Sequence, residues 1–354
     1  MLGLMPGFWQ GRQVLVTGHT GFKGGWLCLW LQKLGACVSG YALPPPTTPS
    51  LFDTARIFHG MNHHVGDLRN TTSLEKVMQE AAPEVVFHLA AQPLVRESYR
   101  DPVGTITSNV VGTMNVLEAI HRQPSVKALV VITSDKCYLN REWHWPYRED
   151  EALGGKDPYS ASKACAELLT AAWRDAFLGD RVAIATARAG NVIGGGDWAT
   201  DRLVPDALRA WQTGKTVQVR YPDAIRPWQH VLEPLAGYLL LAQHLWDRKA
   251  IGVWNFGPQE GDTLSVGELL DKLASRWGQE ARWQADKTEH LPEAGMLRLD
   301  SSRARNQLGW ATRLDSSQAL DRVISWHRAW LHGQDMHAFT LGQIEEFMTP
   351  GSHE

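Results

Sequence analysis

The chain has 354 residues, of which 44% are hydrophobic and 21% are charged, and this composition is typical of a folded protein rather than a disordered one. The formal net charge of -3 gives no overall attraction to nucleic acid or to an anionic membrane, so a polyanionic ligand must be bound by a few placed basic residues. No stretch approaches the roughly 20 apolar residues that span a bilayer, and the short apolar start has no basic segment or cleavage site. We therefore expect a cytoplasmic protein with no nucleic-acid or membrane partner.

The cysteines and histidines show no metal-site spacing. The four cysteines have no CxxC or CxxxC pattern and are Cys28, Cys37, Cys137 and Cys165, which favours a reduced protein with buried thiols. His63 and His64 are adjacent, so on one strand they would point to opposite faces. We therefore expect no metal.

Strands and helices alternate along the first half of the chain. The predicted strands are 13–17, 37–41, a short strand just before 65–67, and the segments 85–91, 128–134 and 182–189. The predicted helices are 26–34, 71–80, 109–120 and 159–173, and the proline-rich segment 44–49 is a loop. This alternation predicts an α/β fold of the Rossmann type, a doubly wound parallel sheet with helices on both faces.

The pattern changes beyond about residue 191, where a helix over 203–213 precedes a mixture of short strands and helices. We expect residues 1–190 to form the dinucleotide-binding Rossmann domain, with a segment around 226–255 returning to it. Residues 191–348 should mostly form a smaller mixed α/β lobe that binds the substrate. Most of the sixteen tryptophans should be buried, and Trp198 and Trp228 are candidates for ligand contact.

A glycine-rich loop follows the first predicted strand. It reads Thr17-Gly-His-Thr-Gly-Phe-Lys-Gly24 and opens a helix. Glycines let the backbone turn tightly and approach a diphosphate, whose charge is stabilised by the helix amino terminus. We predict that this loop binds a nicotinamide dinucleotide.

The usual acidic residue that binds the adenosine ribose is missing, because no Asp or Glu lies between Gly18 and Phe52. The residues alone therefore do not choose between NAD and NADP. Lys23 is either a solvated lysine or a partner for a 2′-phosphate. Asp67 is either a partner for the adenine edge or part of a surface turn.

Tyr159 and Lys163 form a YxxxK motif in a predicted helix, where a spacing of four places both side chains on one face. The lysine ammonium stabilises a tyrosinate, so the phenol can exchange a proton with a sugar hydroxyl near neutral pH. We predict that this pair controls the movement of a hydride.

Three further candidates, Ser134, Asp135 and Lys136, follow the predicted strand 128–134. The carboxyl edge of a parallel strand is where ligands bind in open α/β sheets. Ser134 can bond the reacting hydroxyl. Asp135 and Lys136 are either catalytic groups or a salt-bridged surface turn.

Together, the glycine loop, segment 89–92, Asn109, the Ser134 region and the YxxxK motif resemble the extended short-chain dehydrogenase/reductase family. Longer strings resemble the nucleotide-sugar 4,6-dehydratases of this family that act on CDP-glucose. These strings are Thr17-Gly-His-Thr-Gly-Phe-Lys-Gly24, His88-Leu-Ala-Ala-Gln-Pro-Leu-Val-Arg96, Thr133-Ser-Asp-Lys-Cys-Tyr138, Asp157-Pro-Tyr-Ser-Ala-Ser-Lys163, Ala187-Arg-Ala-Gly-Asn-Val-Ile-Gly-Gly-Gly-Asp-Trp198 and Arg226-Pro-Trp-Gln-His-Val231. The resemblance covers most of the chain.

The resemblance implies an NAD-dependent hydro-lyase that converts CDP-glucose to CDP-4-keto-6-deoxyglucose. Tyr159 would take the O4 proton as hydride leaves C4, water would leave across C5 and C6, and hydride would return to C6. Asp135 would be the acid at the C6 oxygen. Lys136 would be the base at C5 or would steady the enolate, and it departs from the related dTDP-glucose dehydratases, which have a glutamate there. The resemblance also implies a cytoplasmic homodimer that serves deoxysugar biosynthesis, such as that of lipopolysaccharide O-antigen.

The resemblance implies a set of binding residues as well. For the cofactor these are Gly18, Thr20, Gly21, Phe22, Lys23, Gly24, Asp67, Leu68, Leu89, Ala90, Ala91, Gln92, Asn109, Tyr159 and Lys163. For the substrate they are Gln92, Arg96, Tyr99, Asn191, Arg202 and Arg226, of which the last three resemble diphosphate-binding positions. A surface role is the alternative for the two arginines among those three. The implied dimer is formed by two helices per subunit, 109–120 and 159–173.

Other interpretations stay open. Another nucleotide-sugar 4,6-dehydratase, or a 4-epimerase, would share the glycine loop, Tyr159 and Lys163, but an epimerase would not need Asp135 and Lys136 as acid and base. A non-catalytic NAD(P)-binding regulatory protein would belong to a different class, and the presence of Ser134, Tyr159 and Lys163 argues against it.

Overall fold

The computed structural model describes residues 3–5, 7–259, 261–288 and 293–349. Its strands are β1 (Gln13–Thr17), β2 (Cys37–Ala42), β3 (Met61–Val65), β4 (Val85–His88), β5 (Ala128–Ile132), β6 (Ala183–Ala189), β7 (Val192–Ile193), β8 (Val217–Val219), β9 (Ile225–Arg226), β10 (Gln229–His230), β11 (Gly252–Phe256), β12 (Leu264–Ser265) and β13 (Trp283–Ala285). Its α-helices are α1 (Phe22–Lys33), α2 (Leu51–Thr54), α3 (Thr71–Ala81), α4 (Val95–Arg100), α5 (Pro102–Ile106), α6 (Gly112–Arg122), α7 (Pro158–Trp173), α8 (Leu203–Gln212), α9 (Leu232–Trp246), α10 (Val266–Trp277), α11 (Ser316–Leu331) and α12 (Met336–Met348).

A central sheet of seven strands has the order β11-β6-β5-β4-β1-β2-β3. Every neighbouring pair in it is parallel. Its strands β4, β5 and β6 are buried along their whole length, which requires cover on both faces. The predicted fold class, a doubly wound parallel sheet, is confirmed.

Two apolar clusters cover the sheet. One joins α1 and α9 to inward residues of the strands, with Trp26, Trp30 and Trp254 fully buried. The other lies on the opposite face and joins α3 and α6 to the sheet through residues such as Leu74 and Leu117. The sheet is therefore held rigid between two apolar layers, and the loops at its carboxyl edge rest on a fixed frame.

Beyond β6 the chain builds a smaller mixed part from α8, α10 and the two-stranded sheets β8–β13 and β9–β12, around a third apolar cluster that includes Trp211 and Leu270. The chain also returns to the central sheet, because β11 pairs with β6 and α9 packs on β5 and β6. The helix α12 packs on α1, where Phe347 and Trp30 meet edge to face at 5.7 Å. The division at residue 190 stays a prediction.

Several predicted elements differ from the structure. The helix predicted over 26–34 begins at Phe22, and the one predicted over 109–120 is preceded by α5 and a π-helical turn, Thr107–Val111, that runs straight into α6. All four cysteines are free, but Cys37 is exposed rather than buried, because it is the first residue of β2, where the strand enters the sheet. Within the described ranges, every helix is too short or too polar to cross a lipid bilayer.

Candidate active site

The glycine loop lies at the point where the strand order reverses, between β1 and β4. Gly18 has a φ of +77°, and a Cβ atom there would lie 2.7 Å from the backbone nitrogen of Ala90, which follows β4. A Cβ on Gly24 would lie 2.1 Å from the carbonyl oxygen of Gly18. The sequence therefore needs glycine at both positions to bring the loop, the helix α1 and the end of β4 together, and ligands bind in open α/β sheets at this crevice.

The amino terminus of α1 fits a dinucleotide diphosphate. Its N-cap residue is Gly21, no side chain caps its backbone N–H groups, and its first turn has no acidic residue. Four backbone N–H groups at a helix start lack partners within the helix, and the helix dipole favours an anion there. This helix end therefore offers the donors and the positive potential that a nicotinamide dinucleotide requires.

A cavity of about 750 Å³ opens at this end of the helix and extends along the carboxyl edge of the sheet into the smaller part of the molecule. Most of the residues predicted from the sequence line it. They are Gly18, Thr20, Gly21, Phe22, Lys23, Gly24, Asp67, Leu68, Leu89, Ala90, Ala91, Gln92, Arg96, Ser134, Asp135, Lys136, Tyr159, Lys163, Asn191, Arg202 and Arg226. Both Trp198 and Trp228 also line it. The structure thus brings residues from eight separate sequence segments to one space.

Two predicted residues do not line the cavity. Tyr99 lies on α4 with its side chain 37% exposed, so its predicted contact with substrate is not supported by its position. Asn109 is buried, and its amide accepts a hydrogen bond from the backbone nitrogen of Gln92 (2.7 Å) and donates to the Gln92 carbonyl (3.0 Å) and the Ser162 hydroxyl (2.8 Å). Asn109 therefore positions the loop after β4 against α7, and its role in cofactor binding stays a prediction.

Ser134 and Asp135 lie directly after β5, in a short turn that the Ser134 side chain caps. The Ser134 hydroxyl donates to Asp135 Oδ1 at 2.9 Å. Asp135 is buried, and among the described residues its Oδ2 has no hydrogen-bond partner. Burial raises the pKa of Asp135 above its usual value, against the opposing effect of the Lys136 ammonium. The site therefore contains a buried carboxyl group that favours its protonated form and has a free oxygen.

Tyr159 and Lys163 lie on α7, whose first turn is fixed by the Asp157 side chain as it accepts a hydrogen bond from the backbone nitrogen of Ser160 at 2.9 Å. Burial raises the pKa of Tyr159 to about 12, while a hydrogen bond with Ser134 acts to lower it. Burial lowers the pKa of Lys163 to about 8, and its ammonium donates to the Ile132 carbonyl at 3.3 Å. The phenol is therefore not held as a tyrosinate by these residues alone, because the lysine is directed to the backbone in a poorly solvated site.

Lys23 is not the solvated lysine that was the simpler interpretation. Its Nζ atom lies 3.3 Å from the Tyr238 hydroxyl and faces the cavity. Burial, with the nearby charges of Lys163 and Arg202, lowers the pKa of Lys23 to about 7. Asp67 accepts hydrogen bonds from the Arg69 guanidinium through both carboxylate oxygens, from Nε to Oδ1 (3.0 Å) and from Nη2 to Oδ2 (2.5 Å), so it is part of a paired turn at the rim of the cavity.

The three arginines predicted to bind the substrate are paired with acidic residues. Arg202 lies 2.8 Å from Asp197, and Arg96 lies 2.8 Å from Asp201. Arg226 is buried and lies 3.8 Å from Glu293. The cavity therefore has a cationic side whose charges are balanced by carboxylates.

Sequence reasoning missed several cavity residues. Asp197, Asp201, Arg220 and Glu293 all line the cavity. The three acidic residues pair with its arginines, and Arg220 pairs with Asp201 and Glu293. Asp197 lies in the string that ends at Trp198, so the motif itself was a signal. For the other three there is no local pattern, since they come together only through the folding of the smaller part.

The parallel sheet, the glycine loop and the Ser134, Tyr159 and Lys163 cluster define a short-chain dehydrogenase/reductase of the extended type. The sequence model of the GDP-mannose 4,6 dehydratase family matches residues 15–323. The chain belongs to this family of nucleotide-sugar 4,6-dehydratases, as its sequence predicted. Membership also confirms the expectation of an enzyme, a hydro-lyase.

Individual relatives agree with this assignment. A CDP-glucose 4,6-dehydratase of Salmonella typhimurium strain LT2 is 50% identical over 350 residues, which cover 97% of this chain and 98% of the relative. A dTDP-glucose 4,6-dehydratase of Streptomyces griseus is 30% identical over 71% of this chain and 74% of its own. Among solved structures, UDP-glucose-4-epimerase from Stenotrophomonas maltophila, with bound NAD and formylated UDP-arabinopyranose, superimposes with a TM-score of 0.80 at 26% identity over 91% of this chain and 99% of its own.

Proposed function

We propose that the chain is a CDP-glucose 4,6-dehydratase, which converts CDP-glucose to CDP-4-keto-6-deoxyglucose and water. The observation that carries the proposal is the buried Asp135 carboxyl, with its raised pKa and an Oδ2 that has no partner in the described part of the chain, in the same cavity as Ser134, Tyr159 and Lys163. An epimerase needs no such acid. The relative that shares 50% identity over nearly the whole chain supports CDP-glucose as the substrate.

NAD is the cofactor in this proposal. The uncapped start of α1 would hold its diphosphate, with Gly18 and Gly24 giving the close approach. When bound, NAD supplies a hydride acceptor for C4, a positive charge that favours tyrosinate, and a hydride donor for C6. The solved structure at 26% identity contains NAD, and the residues that line the cavity here suit the same dinucleotide.

Tyr159 takes the proton from the sugar O4. Ser134 is its hydrogen-bonding neighbour and orients the reacting hydroxyl. Lys163 has a pKa of about 8, so its ammonium is mostly charged near neutral pH and favours the phenolate. Together the three residues move one proton from O4, which is needed before a ketone can form at C4.

Asp135 donates a proton to the C6 oxygen, which then leaves as water. A leaving hydroxyl needs this proton, and burial raises the pKa of the Asp135 carboxyl, which favours the protonated form that can donate it. The Ser134 hydroxyl donates to Oδ1, so Oδ2, which has no partner among the described residues, is the oxygen proposed to carry the proton.

Lys136 acts at C5. Its side chain faces the cavity, and no ion pair or side-chain hydrogen bond of Lys136 occurs in the described part of the chain. The amine either removes the C5 proton, which the C4 ketone acidifies, or steadies the enolate as a cation while the proton moves to another group. In both roles Lys136 acts at C5, which loses the proton, while its neighbour Asp135 acts at C6, which loses the hydroxyl.

A panel of nucleotide-glucoses tests the proposal. We expect CDP-glucose to lose water and give a 4-keto product, with UDP-, dTDP- and GDP-glucose reacting much more slowly. Formation of a C4 epimer would support the epimerase alternative, and a preference for another nucleotide would move the proposal to a different 4,6-dehydratase. Absence of turnover with every nucleotide-glucose would favour a non-catalytic role.

The proposal includes a cytoplasmic homodimer whose product is a precursor of deoxysugars such as those of lipopolysaccharide O-antigen. Leu168 (60% exposed) lies on the helix predicted over 159–173, and two further exposed apolar side chains lie just outside the predicted dimer helices: Val103 (71%) on α5, before 109–120, and Phe177 (59%) in the π-helical turn that continues α7. The segments pack against each other within the subunit, so their outer sides form one apolar surface. Burial of such a surface in a second copy would stabilise a dimer.

A further inference from the structure

We propose that Arg220 is a substrate-binding residue, which forms a clamp for the substrate diphosphate together with Arg226. Arg220 follows β8 in the smaller part of the molecule, whereas Arg226 ends β9. Both side chains line the cavity. This inference rests on the proposed function and names the group that binds the middle of its substrate.

The two guanidinium groups share one carboxylate. Glu293 Oε1 lies 3.3 Å from Arg220 Nη2, and Glu293 Oε2 lies 3.8 Å from Arg226 Nη2. The positive charges of two arginine side chains this close together repel each other, and an anion between them offsets the repulsion. Here that anion is the Glu293 carboxylate. The geometry thus marks a position where two cations converge on one small anion.

The pairing of these arginines is loose. Charge-assisted hydrogen bonds between arginine and carboxylate are about 2.7–2.9 Å long, as in the Arg202–Asp197 pair at 2.8 Å. The contacts of Arg220 are longer, at 3.3 Å to Glu293 and 3.8 Å to Asp201. Its planar group of five donors therefore has capacity for a better acceptor, and phosphate oxygens match that geometry.

Asp201 links this clamp to the other wall of the cavity. Its carboxylate lies 3.8 Å from Arg220 and 2.8 Å from Arg96 of α4, and its own backbone has a φ of +61°. Cationic side chains from the Rossmann half and from the smaller part thus meet at one acidic residue. A diphosphate, which has more than one negative charge, would satisfy Arg220 and Arg226 together where Glu293 offers a single charge.

Binding of CDP and of cytidine, measured by calorimetry with the full chain, tests the inference. Arg220→Gln should weaken CDP binding by about 10-fold to 100-fold, the range expected for loss of hydrogen bonds from a charged donor, and should leave cytidine binding within about twofold. Glu293→Gln should tighten CDP binding, because it removes the carboxylate that competes for both arginines. The matched control is Arg100→Gln, since Arg100 lies 3.9 Å from Asp201 but does not line the cavity; this variant should bind CDP like the wild type.

Equal loss of CDP and cytidine binding in Arg220→Gln would overturn the inference, since it would place Arg220 at the nucleoside or in the fold. Weaker CDP binding in Glu293→Gln would also overturn it. Failure of the proposed function gives a different result: the wild-type enzyme would not turn over CDP-glucose. The loss of CDP affinity in Arg220→Gln could still be observed in that case. Normal turnover with unchanged CDP binding in Arg220→Gln would leave the proposed function standing and remove only the clamp.

Discussion

The Ser134 hydroxyl donates a hydrogen bond to Asp135 Oδ1 at 2.9 Å, while Asp135 Oδ2 is buried and unpartnered among the described residues. The two oxygens of one carboxyl group therefore differ in their surroundings. Ser134 fixes one oxygen, and the other has no partner in the described chain, while the carboxyl group as a whole lines the cavity. The turn after β5 therefore holds both Asp135, which is proposed to protonate the C6 oxygen, and Ser134, which is proposed to orient the hydroxyl at C4.

Substitution Asp135→Asn should slow loss of water by about 100-fold to 10,000-fold, the range for removal of a general acid. Asparagine keeps the acceptor for Ser134 but cannot donate the catalytic proton efficiently. Oxidation at C4 should persist, so reduced nicotinamide should accumulate when the variant is mixed with CDP-glucose in a stopped-flow absorbance experiment. Wild-type rates of water loss in Asp135→Asn would contradict the assignment.

The same variant should be more stable than the wild type at alkaline pH. Burial raises the folded-state pKa of Asp135 above the usual 3.8, so the folded state binds the proton more tightly than the unfolded state. Ionisation therefore costs stability, and this cost grows as pH rises from 3.8 through the raised pKa. The melting temperature of Asp135→Asn should exceed that of the wild type at about pH 8, and the difference should shrink towards about pH 4. A difference that is constant with pH would show that ionisation of Asp135 does not destabilise the folded state.

Tyr159→Phe should lower kcat by at least about 100-fold, because it removes the group that takes the O4 proton. Its fold should be unchanged. Tyr138→Phe is a matched control, since Tyr138 is equally buried and donates to Asn255 at 2.7 Å but does not line the cavity. The control should lose stability and keep kcat. A Tyr159→Phe enzyme with wild-type kcat would exclude the proposed chemistry at C4.

Lys136→Met should abolish the exchange of the C5 proton with solvent while C4 oxidation persists. Incubation in deuterium oxide followed by NMR of the sugar reports this exchange directly. If the lysine is the base, the variant forms the C4 ketone and then stops without deuterium at C5. Deuterium at C5 in the variant, with slower loss of water, would instead assign Lys136 to stabilisation of the enolate.

Glu233 gives a prediction outside the active site. Glu233 lies in the first turn of α9. Its Oε1 accepts hydrogen bonds from the backbone nitrogens of Arg313 and Leu314 (2.9 and 2.7 Å), and its Oε2 has no partner in the described chain. Burial raises its pKa from 4.5 to about 7. Glu233→Gln should therefore raise the free energy of unfolding by up to roughly 3 kcal/mol well above pH 7, with the gain lost as pH falls from about 7 to 4.5.

Urea unfolding at about pH 5 and pH 8 measures this effect. Glu346→Gln is the control, because Glu346 is an exposed carboxylate on α12, 70% accessible to solvent, and the variant should not show the same pH-dependent gain. Equal stability of Glu233→Gln and the wild type at both pH values would show that the buried carboxyl has no raised pKa.

Leu168→Glu should convert the proposed homodimer to a monomer, because a charge replaces an exposed apolar side chain at the proposed interface on α7. Light scattering coupled to size-exclusion chromatography measures the mass of each. Leu331→Glu is the control, since Leu331 is also exposed but lies at the end of α11, and this variant should keep the wild-type mass. A monomeric wild type, or a dimer that survives Leu168→Glu, would contradict the proposed surface.

Local sequence patterns were enough to predict much of the frame. The strand Gln13–Thr17 has the predicted bounds, and α7 begins one residue before the prediction, since an Asp-Pro pair is a strong helix start. The glycine spacing predicted the cofactor crevice because each glycine meets a specific close contact. These features depend on residues that are near in sequence or follow a strand edge.

The missed features depend on longer-range packing or on a signal that was overlooked. The start of α5 at Pro102, capped by Asp101, has the same Asp-Pro signal as α7, but its helix runs into α6 through a π-helical turn that no periodicity reveals. Asp201 and Arg220 belong to different elements and meet only in the folded chain. Burial, which raises the pKa of Tyr159 rather than lowering it, is also a property of the folded site.

The most direct test of the dehydratase proposal follows one deuterium atom. CDP-glucose labelled with deuterium at C4 is incubated with the enzyme, and the product is analysed by NMR and mass spectrometry. The proposed chemistry, in which the acid Asp135 and the base Tyr159 act in one cavity, predicts a product that has lost one water, contains a ketone at C4 and retains the deuterium at C6, with no net reduction of NAD. Deuterium returned to C4 in an epimer, or a product that keeps its C6 hydroxyl, would contradict it.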